Sequence, residues 1–130
     1  MIAGIGVDIV DIARIRALLD RYGERFLRRV YTAAETAYAM SGAKKAERLA
    51  GRFAVKEALM KALGTGKSNG ILWRDVETLR GRSGKPEVRL HGQAAGWAKR
   101  RGGDAVHVSI THDGGKAVAF VILEKAGGEK

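Results

Sequence analysis

The sequence predicts an α+β fold with its helices mainly in the N-terminal half and an antiparallel sheet that dominates the C-terminal half. Two observations predict it. A long segment with helical spacing ends near residue 63, and two apolar runs, VHVSITH and AVAFVIL, flank a glycine turn near the end of the chain. With 130 residues, the chain can bury a core but is too short for two, so we expect one domain over residues 1–130.

The N-terminal segment predicts a strand followed by a helix. Residues 2–10 are rich in Ile and Val, which is typical of a buried strand, and Gly4 and Gly6 allow another element to pack closely. From Asp11 onward the apolar residues recur at helical spacing. Gly23 interrupts this helix, and a shorter helix follows it.

Two further helices are expected before the middle of the chain. Thr32 has the character of a helix N-cap, and Glu35 three residues later completes a capping box. The longest helical segment runs from about residue 44 to residue 63 and ends at Gly64, a residue suited to a C-cap. One of its faces carries only Ala and Gly, which permits close approach of another element, so we expect this helix to be central.

The second half of the chain predicts strands joined by turns. Residues 75–80 and 86–90 form two strands connected by the hairpin-like turn GRSGKP. A short helix over residues 91–101 precedes the last two strands, which turn at residues 113–115. These strands complete the antiparallel sheet.

The composition excludes several classes of protein. The chain has no cysteine, which excludes disulfides, thiolate metal sites and cysteine nucleophiles. It has no run of about 18 apolar residues that could form a membrane-spanning helix. The apolar N-terminus lacks a basic leader and is interrupted by Asp8, so we expect no signal peptide and a cytoplasmic protein.

The charge of the chain points to an anionic partner without identifying it. Lys and Arg number 24 against 14 Asp and Glu, which gives a formal net charge of +10. Such an excess favours nucleic acid, an acidic membrane surface, a phosphorylated cofactor or an acidic protein. The alternative is that the basic charge only keeps the protein in solution.

Two carboxylates and a lysine are the first candidates for metal-binding or phosphate-binding residues. Asp8 lies within an apolar strand, where it either caps the following helix or pairs with a cation. Glu57 and Lys61 are four residues apart on the long helix and could form a simple salt bridge. The functional alternative assigns Glu57 to a hard cation and Lys61 to a phosphate. Two carboxylates, with water and phosphate oxygens, suit Mg²⁺.

Apolar and polar residues alternate along the strand near the C-terminus. His107, Ser109 and Thr111 share one face, which could line a ligand cleft or lie in solvent. His107 and His112 point to opposite faces because they are five residues apart, and the histidines lack zinc-ligand spacing. The GTGKS segment does not form a P-loop, since Lys61 stands where that motif needs glycine.

Taken together, four segments of the chain resemble the holo-acyl-carrier-protein synthases, the short trimeric class of phosphopantetheinyl transferases. These are IGVDIVDIARI, AGRFAVKEALMKALGTG, SGKP and HVSITHD, and they occur in the order and spacing of that family. The resemblance implies transfer of the 4'-phosphopantetheine arm of coenzyme A to a serine of an apo acyl carrier protein. The by-product is adenosine 3',5'-bisphosphate, and the reaction serves fatty acid biosynthesis.

The resemblance also implies roles for individual residues. It assigns Asp8 and Glu57 as ligands of a Mg²⁺ ion that also binds the diphosphate of coenzyme A. Lys61 neutralises or protonates the leaving group, and Glu57, directly or through a water molecule, is the candidate base. Contacts with coenzyme A are assigned to a larger set of residues: Arg52, Lys61, Gly64, Gly66, Ser83, Gly84, Lys85, Pro86 and His107.

The partners implied by the resemblance are coenzyme A and an acidic carrier protein. Arg14 and Arg21 match basic positions on the helix that docks the carrier. The family forms homotrimers with each site between neighbouring subunits. No nucleic acid or membrane is expected as a partner.

Two other functions use the same features. A non-catalytic basic nucleic-acid-binding domain would explain the charge, although aromatic residues make up only 6% of the chain and the strands carry almost none. A magnesium phosphohydrolase would use the same carboxylates with water as the nucleophile.

Overall fold

A computed structural model describes residues 1–126 of the chain. A short 3₁₀ helix covers Trp73–Asp75. The remaining elements are, in order, β1 (Ile2–Asp11), α1 (Ile12–Tyr22), α2 (Glu24–Val30), α3 (Ala33–Met40), α4 (Lys45–Leu63), β2 (Val76–Arg80), β3 (Pro86–Leu90), α5 (Gly92–Arg100), β4 (Ala105–Asp113) and β5 (Lys116–Glu124). Within residues 1–126, no helix has the length and apolar character needed to cross a bilayer.

The predicted α+β fold is confirmed. β1, β5 and β4 form an antiparallel sheet in that order, with Asp8 opposite Ala119 and Ser109 opposite Phe120. β2 and β3 form a separate antiparallel hairpin, joined by the predicted turn. The helices occupy mainly the first half of the chain, because α5 is the only α-helix that follows residue 63 within residues 1–126.

Helix α4 is the centre of the core, as its small-residue face predicts. It packs across the inner face of the three-stranded sheet, where Ala54, Ala58 and Leu59 are fully buried. The contact with β1 is between backbones. A Cβ atom at Gly4 or Gly6 would overlap the carbonyl oxygens of Ala62 and Ala58, respectively. Glycine is therefore required at both positions for this approach.

Two of the predicted helix ends are also confirmed. Thr32 Oγ1 accepts a hydrogen bond from the Glu35 backbone N–H at 3.2 Å, and Glu35 Oε1 accepts one from the Thr32 N–H at 3.0 Å. This is the reciprocal capping box of α3. Helix α4 ends at Gly64, whose φ of +79° lies in the left-handed region that favours glycine.

The prediction that β1 is a buried strand is wrong for one of its faces. Gly6, Asp8 and Val10 point toward α4, whereas Ile5, Val7 and Ile9 point away and are 50–60% exposed. Phe120 of β5 lies on the same side. We call this apolar surface of Ile5, Val7, Ile9 and Phe120 the outer face of the sheet.

Candidate active site

Asp8, Glu57 and Lys61 meet where β1 crosses α4. Asp8 follows Gly6 on the inner face of β1, so the close backbone contact carries its side chain to the surface of the helix. Lys61 Nζ donates hydrogen bonds to Asp8 Oδ1 at 2.9 Å and to the Val7 carbonyl oxygen at 3.2 Å. We call Asp8, Glu57 and Lys61 the carboxylate cluster.

This geometry decides between the alternatives for these three residues. Asp8 does not cap α1, because Asp11 occupies the N-cap position. Within residues 1–126, Lys61 forms its salt bridge with Asp8 and not with Glu57. The simple helical salt bridge is therefore wrong, and among the residues that the structure describes no lysine pairs directly with the Glu57 carboxylate.

The electrostatics of the carboxylate cluster favour an added cation. Burial raises the pKa of Glu57, and the neighbouring Asp8 carboxylate raises it further, while Arg14 and Lys61 act in the opposite direction. The hydrogen bond that Lys61 donates to Asp8 raises the pKa of Lys61, so the lysine remains charged. A divalent cation between Asp8 and Glu57 would relieve their repulsion.

The ligand set of the cluster suits a hard divalent cation such as Mg²⁺ or Mn²⁺. No group of three or more His, Cys, Asp or Glu side chains converges anywhere in the described part of the chain. A closed structural zinc or calcium site is therefore not formed here. Mg²⁺ commonly takes one or two carboxylates and completes its shell with water and substrate phosphates, so Asp8 and Glu57 fit it.

A second constellation lies between α4, β4 and the β2–β3 hairpin. Three guanidinium groups surround the ring of Tyr38: Arg52 at 4.2 Å from the ring centroid, Arg48 at 4.4 Å and Arg80 at 5.5 Å. They line a pocket of about 260 Å³ that also includes Gly84 and Pro86 of the hairpin turn, and Gly51, Ile110 and His112. We call it the arginine pocket.

The arginine pocket has the properties of an anion site. Arg52 is only 6% exposed, and its Nε atom has no hydrogen-bond partner within residues 1–126. Burial lowers the pKa of Arg52, while Tyr38 and Glu35 raise it. The residues that line the pocket include no carboxylate. Three arginines with an orphaned buried N–H suit a phosphate group.

Sequence reasoning identified only one of the three arginines. Tyr38 and Arg80 were not predicted because they belong to other elements than Arg52. Arg48 was also missed, although it lies four residues before Arg52 on the same face of α4, which is a local signal. The Tyr38 ring brings the three guanidinium groups together through cation–π contacts, and no local spacing predicts its part or that of Arg80.

The turn of the hairpin also faces the edge of β4. Lys85 and Pro86 line a cleft of about 410 Å³ together with His107. His107 Nε2 lies 2.9 Å from Glu124 Oε1, and His112 Nε2 lies 3.0 Å from the Glu47 carbonyl oxygen on α4. The prediction that the two histidines point to opposite faces is confirmed.

The two basic residues predicted on the first helix lie near its opposite ends. The Arg14 guanidinium carbon is 5.5 Å from the centroid of the Phe53 ring, and its charge acts on Glu57. Arg21 lies against the ring of Tyr22 at the end of α1. A groove of about 400 Å³ runs beside it, lined by Leu18, Tyr22, Arg25, Phe26 and Arg29.

One chain does not bring all the predicted site residues together. Gly64 and Gly66 follow Lys61 at the end of α4, beside the carboxylate cluster. Arg52 lies in the arginine pocket instead, and at five residues before Glu57 it points roughly 140° away around the helix. Ser83 is exposed on the hairpin turn next to that pocket.

The chain is similar to known proteins over nearly its whole length. The family model described as 4'-phosphopantetheinyl transferase superfamily matches residues 4–121. The holo-[acyl-carrier-protein] synthase of Solibacter usitatus is 48% identical over 95% of this chain and 99% of its own length.

Solved structures extend the similarity to the fold. The holo-[acyl-carrier-protein] synthase of Neisseria meningitidis superposes with a TM-score of 0.87 at 35% identity, covering 96% of this chain and all of its own. The Helicobacter pylori enzyme, solved in complex with coenzyme A, has a TM-score of 0.81 at 31% identity over 92% of this chain and 99% of its own. The resemblance found in the sequence is confirmed, and the chain belongs to the 4'-phosphopantetheinyl transferase superfamily.

Proposed function

We propose that the chain transfers the 4'-phosphopantetheine arm of coenzyme A to a serine of an apo acyl carrier protein in fatty acid biosynthesis. The observation that carries the proposal is the carboxylate cluster, which joins Asp8, Glu57 and Lys61 across 53 residues of sequence. It occurs in a chain similar to holo-[acyl-carrier-protein] synthases over nearly its whole length. That similarity gives no support to a non-catalytic nucleic-acid-binding domain.

Asp8 and Glu57 would hold Mg²⁺ in this proposal. Their mutual repulsion and the raised pKa of Glu57 support a bound divalent cation. When bound, Mg²⁺ supplies charge that polarises the phosphoryl group and offsets the charge developing on the bridging oxygen.

The protein side chains supply the proton transfers and the leaving-group charge. The carrier serine oxygen attacks the phosphorus attached to pantetheine, and the bond from that phosphorus to the bridging oxygen breaks. Glu57, directly or through a water molecule, takes the proton that the serine hydroxyl loses as its oxygen attacks. Lys61, kept charged by Asp8, neutralises the departing adenosine 3',5'-bisphosphate.

The arginine pocket would receive the 3'-phosphate of coenzyme A. A phosphomonoester dianion can accept from several guanidinium groups at once, including the unpaired Nε of Arg52. The turn at residues 83–86 would hold the adenine end, and His107 would face the phosphates from the adjoining cleft. Gly64 and Gly66 would border the pantetheine arm beside Lys61.

Helix α1 would dock the carrier. Arg14 and Arg21 can pair with acidic side chains of the carrier, and the groove beside Tyr22 can take an apolar side chain. Arg14 also adjoins Glu57, so a carrier bound there would have its serine near the carboxylate cluster.

We also propose a homotrimer with each site between two subunits, in the cytoplasm. The outer face supports assembly, since four large apolar side chains are 43–60% exposed on one side of a short sheet. Glu57 and Arg52 of one chain lie on different sides of α4. This supports a site formed by Glu57 of one subunit and Arg52 of its neighbour. Light scattering on the purified protein tests this state, and a monomer at micromolar concentration would contradict it.

The function itself is tested by intact-mass measurement of an apo acyl carrier protein incubated with coenzyme A, Mg²⁺ and this protein. We expect the carrier to gain the mass of one phosphopantetheine, and chelator to prevent the gain. Coenzyme A cleavage without carrier would instead indicate a phosphohydrolase. No mass change on several apo carriers, with folded protein, would contradict the proposal.

A further inference from the structure

A buried ion pair includes the residue that precedes Glu57 and has no part in the proposed chemistry. Lys56 Nζ and Glu35 Oε1 are 2.7 Å apart, and both side chains are fully buried. Lys56 precedes Glu57 in the chain, but it points from α4 toward α3 and the hairpin rather than toward Asp8. The pair therefore belongs to a different side of the helix.

The hydrogen bonds of this pair connect three parts of the fold. Lys56 Nζ also donates to the carbonyl oxygens of Trp73 and Val76, where the chain enters β2. Glu35 Oε2 accepts from the backbone N–H of Thr78 at 2.9 Å. Through these two side chains, α3 and α4 are both bonded to the first residues of the hairpin.

Side-chain packing and hydrogen bonds, rather than a strand ladder, join the hairpin to the rest of the fold. β2 and β3 pair only with each other, so no strand ladder links them to the three-stranded sheet within residues 1–126. The hairpin supplies one wall of the arginine pocket through Arg80 and Gly84, and α4 supplies the facing wall through Arg52. Lys56 lies one helical turn after Arg52, on the same side of α4.

Stability alone does not account for a buried pair of this kind. Removing two charges from water is costly, and apolar residues of similar volume often stabilise a protein as well or better. Charged groups with several fixed partners do, however, define one geometry. Here all the partners of Lys56 and Glu35 belong to the α3 cap, α4 or the entry to the hairpin.

We propose that Lys56 and Glu35 are positioning residues for coenzyme A: their ion pair holds the hairpin at the distance from α4 that the arginine pocket requires. This inference rests on the proposed function, because it takes coenzyme A as the ligand of that pocket. The ion pair affects binding of coenzyme A, whereas the carboxylate cluster affects the rate of the chemical step.

The test is the double variant Glu35→Gln and Lys56→Met, which removes both buried charges together. We expect KM for coenzyme A to rise roughly tenfold, with kcat at saturating coenzyme A and KM for the carrier unchanged. A merely structural role would lower the fraction of folded enzyme, which reduces kcat and leaves KM for coenzyme A unchanged. That result in the folded variant would overturn the proposal.

A matched control variant distinguishes displacement of the hairpin from a general loss of core packing. Val121→Ala removes buried volume from β5, a strand that does not pair with the hairpin, and should leave KM for coenzyme A unchanged. Hydrogen exchange gives an independent readout: in the double variant, amides of residues 76–90 should exchange faster, while those of β1 and β5 do not change. Uniform acceleration along the chain would also overturn the proposal.

Failure of a variant to fold and failure of the wild-type protein to act have different meanings. If the double variant does not fold, Glu35→Gln alone is measured against the same KM criterion, and failure of both variants to fold would mean that the pair serves folding, which contradicts the proposal. The wild-type protein is measured first. If it neither binds coenzyme A nor modifies a carrier, the proposed function fails; if it does both and KM is insensitive to the pair, only this inference fails.

Discussion

The carboxylate cluster and the arginine pocket are built on the same helix by opposite means. The cluster depends on a contact between backbones, since Gly4 and Gly6 bring β1 onto α4 and so carry Asp8 to Glu57 and Lys61. The pocket depends on long side chains that gather on the Tyr38 ring. One site has excess negative charge that a cation would relieve, and the other has excess positive charge that an anion would relieve.

This difference indicates that the two sites affect different kinetic parameters. Carboxylates held by backbone contacts keep a fixed spacing, which suits the reacting centre. Arginine side chains stacked on an aromatic ring can adjust to a phosphate, which suits affinity. We therefore expect changes in the cluster to act mainly on kcat and changes in the pocket to act mainly on KM for coenzyme A.

The largest effect is expected for Glu57→Gln. Loss of this carboxylate removes both the proposed base and one metal ligand, so the transfer rate should fall by at least roughly a hundredfold. Binding of coenzyme A, measured by calorimetry, should persist through the arginine pocket. Glu47→Gln on the same helix is the matched control and should retain activity. Near-normal transfer by Glu57→Gln would contradict the role of the cluster.

The second prediction concerns mixed oligomers of two defective chains. If the cluster of one subunit faces the pocket of its neighbour, a random mixture of Glu57→Gln and Arg52→Gln chains should regain about a quarter of wild-type activity at low coenzyme A concentration. The regained activity comes from interfaces with an intact cluster and an intact pocket. Activity no higher than the average of the two separate variants would place both groups of one site in the same subunit.

Arg52→Gln alone should have a smaller and more selective effect. Loss of a charged donor to a phosphate should raise KM for coenzyme A roughly tenfold to a hundredfold and change kcat little. The 3'-dephospho form of coenzyme A is the discriminating substrate, because wild type and variant should use it equally well. Arg89→Gln, an exposed arginine of β3, serves as the control. An equal loss with both substrates would contradict 3'-phosphate binding in the pocket.

The variant Arg21→Glu tests whether binding of the carrier can be weakened without a change in binding of coenzyme A. Charge reversal at this exposed residue should raise KM for the carrier roughly fivefold at low salt, with KM for coenzyme A unchanged. The effect should shrink as salt screens the charges. Arg21 is a cleaner choice than Arg14, whose charge acts directly on Glu57. The reversal Arg101→Glu, at the end of α5, is the control, and equal effects at both positions would exclude specific docking on α1.

The smallest predicted effect is on stability. Because the pKa of Glu57 is raised in the folded chain, its contribution to stability is complete below the unfolded pKa and is lost as pH rises through the folded pKa. In chelator at neutral pH, Glu57→Gln should therefore have a Tm higher than wild type by about 2 °C. The difference should disappear at acidic pH. Mg²⁺ should raise the Tm of wild type but not of the variant, and an equal rise in both would contradict the metal assignment.

The fold was largely predictable because its signals are local. Helical spacing, the Thr32–Glu35 capping box and the glycine at position 64 each lie within a few residues of one another. Asp8 and Glu57 were candidates for a cation site from the residue pattern, but the choice between that role and the simpler alternatives came from the family resemblance. Residue patterns alone could not identify Lys61 as the partner of Asp8, because the two are separated by 53 positions and meet only in the folded chain.

The errors and omissions have a physical origin as well. β1 carries apolar residues on both faces, which predicts burial on both, yet this chain covers only the inner one. The arginine pocket escaped prediction because Tyr38, Arg52 and Arg80 come from three different elements. Local sequence patterns describe elements well and describe convergence of distant side chains poorly.

The glycine contact between β1 and α4 has a consequence for how the site tolerates change. Any larger residue at Gly4 or Gly6 must lift the strand away from the carbonyl oxygens of Ala58 and Ala62. Because Asp8 is carried on that strand, the displacement would alter the separation of the two carboxylates without touching either one. A methyl group at a position with no functional group could thus inactivate a folded protein, and no rotamer change could restore the spacing.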